Sequence, residues 1–152
     1  MKKQKTISPR QPQTAKNIRL AFFADFHANN EDEIDRALKL IDDALKADPK
    51  PDHIIIGGDI VERAQANLLN QFAAGLRKRK CLSRATIVPG NHDIFPVSDK
   101  NRVQSLFAMI RLPFVGVQLF YKLFATGTKL NTGNTYPMGR VISPDVLVVA
   151  LN

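Results

Sequence analysis

Short apolar runs alternate with longer amphipathic stretches through the first two thirds of the chain. Ile18 to Ala24 is apolar and compact, which predicts a buried strand. Asn30 is a preferred helix N-cap, and Glu33 three positions on completes a capping-box pattern. Glu31, Asp32 and Glu33 suit the positive end of a helix dipole. Ile34, Ala37, Leu38, Ile41, Ala44 and Leu45 follow at helical spacing and make one apolar face, until Pro49 and Pro51 stop the helix. Ile54 to Ile56 predicts a second strand, closed by Gly57-Gly58. A second helix is expected from about Glu62 to Arg79, with Leu68, Leu69, Phe72 and Leu76 inward and the cations Arg77 to Lys80 at its negative end. Ala85 to Val88 is the third strand, ended by Pro89-Gly90. The order β-α-β-α-β implies an α/β fold with a parallel sheet and right-handed crossovers.

Beyond Asp93 the pattern thins. Ser98 can cap a helix through about Ile110, and residues 111–137 give no assignable periodicity. Gly139 to Ile142 and Val146 to Leu151 read as two strands joined by the turn-forming Ser143-Pro144-Asp145. Residues 1–17 are polar and proline-bearing, and are expected to be a disordered basic tail ahead of a domain over 18–152.

Composition adds limits. With 152 residues and 44% apolar content, the chain fits one domain with an ordinary core. The formal net charge is +8, but Lys2, Lys3, Lys5, Arg10 and Lys16 place five of those charges in the tail. A nucleic-acid interface should be basic on the folded body, so there is no strong nucleic-acid signal, and a tail-driven binding module ranks last among the functional readings. Cys81 is the single cysteine, which excludes an internal disulfide and fits a reducing compartment. No apolar segment follows the charged start as in a secretory signal. The most apolar stretch, Leu112 to Tyr121, is too short to span a bilayer, and the simplest location is the cytoplasm.

Three short polar motifs change the picture. Asp25-Phe26-His27, Gly57-Gly58-Asp59 and Gly90-Asn91-His92-Asp93 each follow one of the predicted strands. Ligands of parallel α/β sheets bind beyond the carboxyl ends of the strands, so Asp25, His27, Asp59, Asn91 and His92 can meet at one edge. Asp25 and His27 can grip one cation, the Asp59 carboxylate can bridge two, and the Asn91 carbonyl is a neutral ligand. Mixed oxygen and imidazole donors suit Mn²⁺, Fe, Zn²⁺ or Mg²⁺, and the absence of thiolates argues against a structural zinc site. Two such ions clamp a phosphoryl group and activate water, and His92 can protonate the leaving oxygen. Each motif alone is weak, Gly-Asn-His-Asp less so; the ordered set is a strong signal.

Other candidates have simpler readings. His53 precedes its strand and lies at the far end of the sheet from Asp59. Asp93 either orients His92 or caps the next turn. Glu62 and Arg63 read as a salt link at a helix start, and Phe107, Phe114, Phe120, Tyr121 and Phe124 as core or lid packing.

The ordered set, extended to Gly57-Gly58-Asp59-Ile60-Val61 and Pro89-Gly90-Asn91-His92-Asp93, resembles the calcineurin-like metallophosphoesterases, closest to the bacterial branch of cyclic-nucleotide phosphodiesterase-like enzymes. The segment Asp145 to Asn152 resembles a later strand of that branch. The resemblance implies a four-layer αββα sandwich with a dinuclear site at its rim. By motif match Asp25 and His27 hold the first metal, Asp59 bridges, Asn91 binds the second, and His92 is catalytic. The implied reaction is hydrolysis of a phosphoester, with a phosphodiester favoured, by a metal-bound hydroxide. The family's pattern continues with a further histidine and a Gly-His-x-His motif, whereas no histidine follows His92 here. The expectation is therefore the N-terminal half of such a domain, its second sheet largely missing, with two divalent ions in the full site and one in this chain. The uncovered sheet is then a surface for self-association. The alternative is an inactive, truncated remnant that binds a metal or a partner.

Overall fold

A computed structural model of the chain describes residues 17–94, 113–124, 128–129 and 138–150. All but Asn17 of the expected tail over residues 1–17, and the expected helix from Ser98 to Ile110, lie outside the described residues.

Strands β1 (Leu20–Phe23), β2 (His53–Ile56) and β3 (Ala85–Ile87) form a parallel sheet with β2 in the centre. Register pairs Ala21 with Ile54 and Phe23 with Ile56, and Ile54 with Ala85 and Ile56 with Ile87. Successive side chains of a strand alternate between faces, so these six residues share one face. Helices α1 (Glu31–Lys46) and α2 (Ala66–Lys78) pack on one another and cover it. Their inward residues are those of the helical spacing, Ile34, Ala37, Leu38 and Ile41 from α1 and Leu68, Leu69, Phe72, Ala73 and Leu76 from α2.

Several boundaries differ from expectation. Asn30 caps α1, its side chain accepting from the Glu33 amide at 3.0 Å. The return bond of the capping box goes one residue further out, from the Asn29 amide to Glu33 Oε2 at 2.7 Å. Helix α2 begins at Ala66 instead of Glu62, and Gln65 at its N-cap makes no side-chain capping bond. Strand β1 is half-exposed, not buried: Leu20 and Phe22 lie on the face away from α1 and α2, and Phe22 is 67% exposed. On that same face His53 and Thr86 are buried and bonded to each other, Nε2 to Oγ1 at 2.8 Å.

Residues 111–137, unassigned from sequence, hold two elements among those described, a four-turn-or-less helix and a short strand. After the one-turn α3 (Asn91–Ile94), helix α4 (Pro113–Phe124) packs on α2 and α3, burying Phe120, Leu123 and Phe124. Phe72 links this layer to the rest, its ring 6.2 Å from Phe124 and 5.8 Å from Phe26. Tyr121 is partly buried; nothing is described for the side chains of Phe107 and Phe114.

A second sheet is present, against the expectation that it would be largely missing. Strands β4 (Thr128–Lys129), β5 (Met138–Ser143) and β6 (Val146–Ala150) pair antiparallel, and the β5–β6 turn falls at Pro144-Asp145 as the sequence implies. Strand β6 lies against β3, and Met138 and Ala150 pack on Val88 and Tyr121. Among the described residues no helix is long and apolar enough to cross a membrane.

Candidate metal centre

The three polar motifs occupy the loops directly after β1, β2 and β3, and the backbone stitches those loops together. Past the end of β1–β2 pairing, Asp25 N–H donates to Gly58 O at 3.1 Å, His27 N–H to Asp59 O at 2.9 Å and Ala28 N–H to Ile60 O at 3.1 Å. Glu62 N–H returns the link to Ala28 O at 3.1 Å. Asp25, His27 and Asp59 have φ of 57°, 47° and 50°. Such left-handed conformations cost an L-residue about 1–2 kcal/mol each. Lys80 is the one other non-glycine residue in that region among those described. Strained residues gathered in two adjoining loops are a feature of functional sites.

The third loop is locked onto the second by Asp93. Its carboxylate is fully buried and accepts from Ile60 N–H at 2.8 Å and Val61 N–H at 3.1 Å through Oδ1, and from Gly90 N–H at 3.0 Å through Oδ2. Asp93 thus neither orients the His92 ring nor merely caps a turn, the two roles open to it from sequence. Burial pushes its acid up to about 6, against the pull of the three amides and with the Asp59 charge adding to the rise. The two loops meet backbone to backbone. Gly58 has φ +95°, and a Cβ there would overlap the Gly90 backbone, while a Cβ on Gly90 would overlap the Asp59 carboxylate and amide. Only glycine allows that approach.

The functional side chains converge above this platform. His27 Nε2 is 3.8 Å from Asp25 Oδ1. Asp59 Oδ1 accepts from the His92 amide at 3.0 Å. The rings of His27 and His92 meet edge to face with centroids 4.8 Å apart. Asn91 is exposed and begins α3 beside His92. Asp25, His27 and Asp59 therefore come together, with His92 next to them, whereas His53 sits at the first residue of β2, at the opposite end. Burial, then the charges of Arg140 and Arg84, holds the His53 imidazole below its ordinary value. Cys81 is a buried thiol bonded to Leu76 O at 3.4 Å, raised above its usual range by burial.

Glu62 is the residue that sequence spacing misplaces. It is not in a helix; its Oε2 lies 2.7 Å from His27 Nδ1, and its carbonyl oxygen lies 2.7 Å from His92 Nδ1. The signal available was the stretch 62–65, which carries no apolar periodicity ahead of Ala66.

The donor set fits a divalent cation. The ligand atoms of Asp25, His27 and Asp59 lie within 4.8 Å of one another, as do those of His27, Glu62 and His92. His27 Nδ1 is buried and makes no aligned hydrogen bond, despite the nearness of Glu62. Carboxylate and imidazole donors converging around a buried, unsatisfied nitrogen match the mixed oxygen and nitrogen coordination of Mn²⁺, Fe or Zn²⁺.

The model of the calcineurin-like phosphoesterase family matches residues 18–149. Comparisons with curated proteins and with solved structures find no match.

Proposed function

Given that the chain belongs to the calcineurin-like phosphoesterase family, whose members are metal-dependent hydrolases of phosphoesters, we propose that it cleaves phosphodiesters at the rim formed by the loops after β1, β2 and β3. Asp25, His27 and Asp59 would hold one divalent ion, with Asp59 and Asn91 serving a second. A bound ion supplies Lewis-acid polarisation of the phosphoryl group and activates water. His92 holds the proton that the leaving oxygen takes up. Its Nδ1–H faces the Glu62 carbonyl at 2.7 Å, so the proton it would transfer is the second one, carried at Nε2 when the ring is an imidazolium. The observation that carries the reading is the convergence of Asp25, His27 and Asp59 on backbone that is strained at all three positions.

The diester preference rests on space beside the centre. A cavity of about 410 Å³ runs from His27 along Phe26, Asn29, Glu33, Arg36, Ala37 and Leu40. A monoester needs no room beyond its single organic group, whereas a diester has a second arm to place. Phe26 and Leu40 offer that arm apolar contact, and Arg36 offers a cation. The test compares bis(p-nitrophenyl) phosphate with p-nitrophenyl phosphate in Mn²⁺. The expected result is a kcat/KM at least roughly tenfold higher for the diester, within the range that a few pocket contacts discriminate. Arg36→Ala should raise KM for the diester with little change in kcat. Preference for the monoester would overturn the diester assignment.

A second reading is a protein that binds the ions and does not turn over. It needs only the convergence of Asp25, His27 and Asp59, which suffices to hold an ion without catalysis.

A further inference from the structure

A second cavity, of about 420 Å³, is lined among the described residues by Arg77, Lys80, Leu82, Ser83 and Arg140. Three of these are cations and none is acidic. The cations do not form one run of charge. Arg77 lies in the last turn of α2, Lys80 just after that helix, and Arg140 on β5, so folding brings them together. Like charges gathered in this way repel one another, and an anion between them removes that cost. We propose that this cavity binds the diphosphate group of a small organic ligand, a nucleoside diphosphate being the chemical class that fits. A single phosphate monoester carries about 1.5–2 negative charges near neutrality, fewer than the cations here, and a diphosphate carries more. Arginine forks match pairs of phosphate oxygens, and lysine adds a point charge. Ser83 brings a hydroxyl, and Leu82 an apolar wall for the organic part. The volume lies in the range of about 300–1,000 Å³ usual for small-ligand pockets.

The site is separate from the metal centre. Ser83 belongs to the short turn Leu82–Arg84 that leads into β3, whereas the polar motifs follow the strands, so the two lie at opposite ends of the parallel sheet. Main-chain carbonyls orient both guanidiniums without cancelling their charge: Arg140 Nη1 donates to Ser83 O, and Arg77 Nη2 to Leu123 O at 3.5 Å. Arg79 shows the contrast, its Nε and Nη2 donating to the two oxygens of Asp42 at 2.7 Å each. Arg140 is half-buried, and burial lowers its pKa. Its attraction for an anion is therefore less screened than at an open surface. Lys80 adds an independent sign. The turn after α2 is closed by Lys80 N–H to Arg77 O at 2.9 Å and Cys81 N–H to Leu76 O at 3.1 Å. In that Schellman arrangement the left-handed residue is usually glycine, yet here it is Lys80, at φ 54°. A cation suits the negative end of a helix dipole, but Arg77 and Lys78 in the last turn already supply that. What a lysine gains at the strained position is a place in the cavity wall.

The test is calorimetric binding of ADP to the full, chelator-stripped chain, with inorganic pyrophosphate and adenosine alongside. The expected result is saturable binding of ADP, weaker binding of pyrophosphate and none of adenosine. Pyrophosphate binding as tightly as ADP would overturn the organic ligand. Arg140→Gln and Lys80→Gly should each weaken ADP binding by about tenfold or more, the scale of one lost charge-assisted hydrogen bond. Lys80→Gly also relieves the left-handed position, so its melting temperature without ligand should be no lower than that of the wild type. Its loss of affinity then cannot be a loss of fold. Lys39→Gln, which removes the same charge from the exposed side of α1, should leave affinity within about twofold of wild type. An unweakened Lys80→Gly, or an equal loss in Lys39→Gln, overturns the proposal, as does a wild type that binds neither ADP nor pyrophosphate. No ligand of the metal centre is altered in these variants, so the result holds whether or not the chain hydrolyses diesters.

Discussion

Asp25, His27 and Asp59 were legible as a site in the sequence because each belongs to a short motif whose chemistry is local. Asp93 and Glu62 were not, because their roles depend on partners about thirty residues away. Asp93 takes its meaning from the amides of Ile60 and Val61, and Glu62 from the rings of His27 and His92. Residue spacing reports what a helix or strand does with a side chain, and is silent on which loop comes to meet it. His53 shows the reverse, a histidine that motif counting rightly left out. Its burial gives a pH prediction. The folded chain holds His53 neutral below its ordinary pKa of 6.5, while the unfolded chain protonates it there. The unfolded state then binds more protons, so stability present above about pH 6.5 is lost as pH falls. Thermal melts between about pH 7.5 and about pH 5 should show the wild type losing more stability than His53→Gln. Equal losses would mean that His53 is solvated in the native state.

At the scale of elements, periodicity placed both long helices and all three parallel strands within a few residues. The larger errors have physical causes. Helix α2 starts late because Glu62 is held against Ala28 and His27 of the first loop instead of in a helical turn. Strand β1 looked buried because all its residues are apolar, yet among the described residues it is an edge strand with helices on one face only. The α1–α2 contact offers a sharper test of packing. A Cβ on Gly75 would overlap the Leu38 methyl carbons. Replacing a helical glycine by alanine gains about 1 kcal/mol of propensity, but overpacking a core costs roughly 1–3 kcal/mol. Gly75→Ala alone should therefore destabilise the protein by about 1 kcal/mol. In a Leu38→Ala background the clash is gone, and the same change should stabilise by about 1 kcal/mol. Urea unfolding of the four proteins of that cycle reads both signs; the same sign in both backgrounds would place Leu38 elsewhere.

At the scale of the whole molecule, the order of strands and motifs in the sequence was enough to put three polar loops at one edge of one sheet. The second sheet was only half legible. The β5–β6 hairpin declares itself through its turn residues, while β4 is two residues long and carries no period. Helix α4 escaped because glycine, proline and aromatic residues mask its apolar face, and its burial against Phe72 is visible only once α2 is in place. The architecture brings the stitched loops, the strained residues Asp25, His27 and Asp59 and the groove beside His27 to one rim. The central claim is that this rim is a metal-dependent phosphodiesterase centre. The most direct test is turnover of bis(p-nitrophenyl) phosphate as Mn²⁺ is returned to chelator-stripped protein, with Asp59→Ala measured in parallel. The account predicts hydrolysis that rises and saturates with Mn²⁺ in the wild type, and loss of at least roughly a hundredfold in the variant. Turnover that ignores Mn²⁺, or that survives Asp59→Ala, would contradict it, and saturable Mn²⁺ binding without turnover would leave an ion-binding protein in its place.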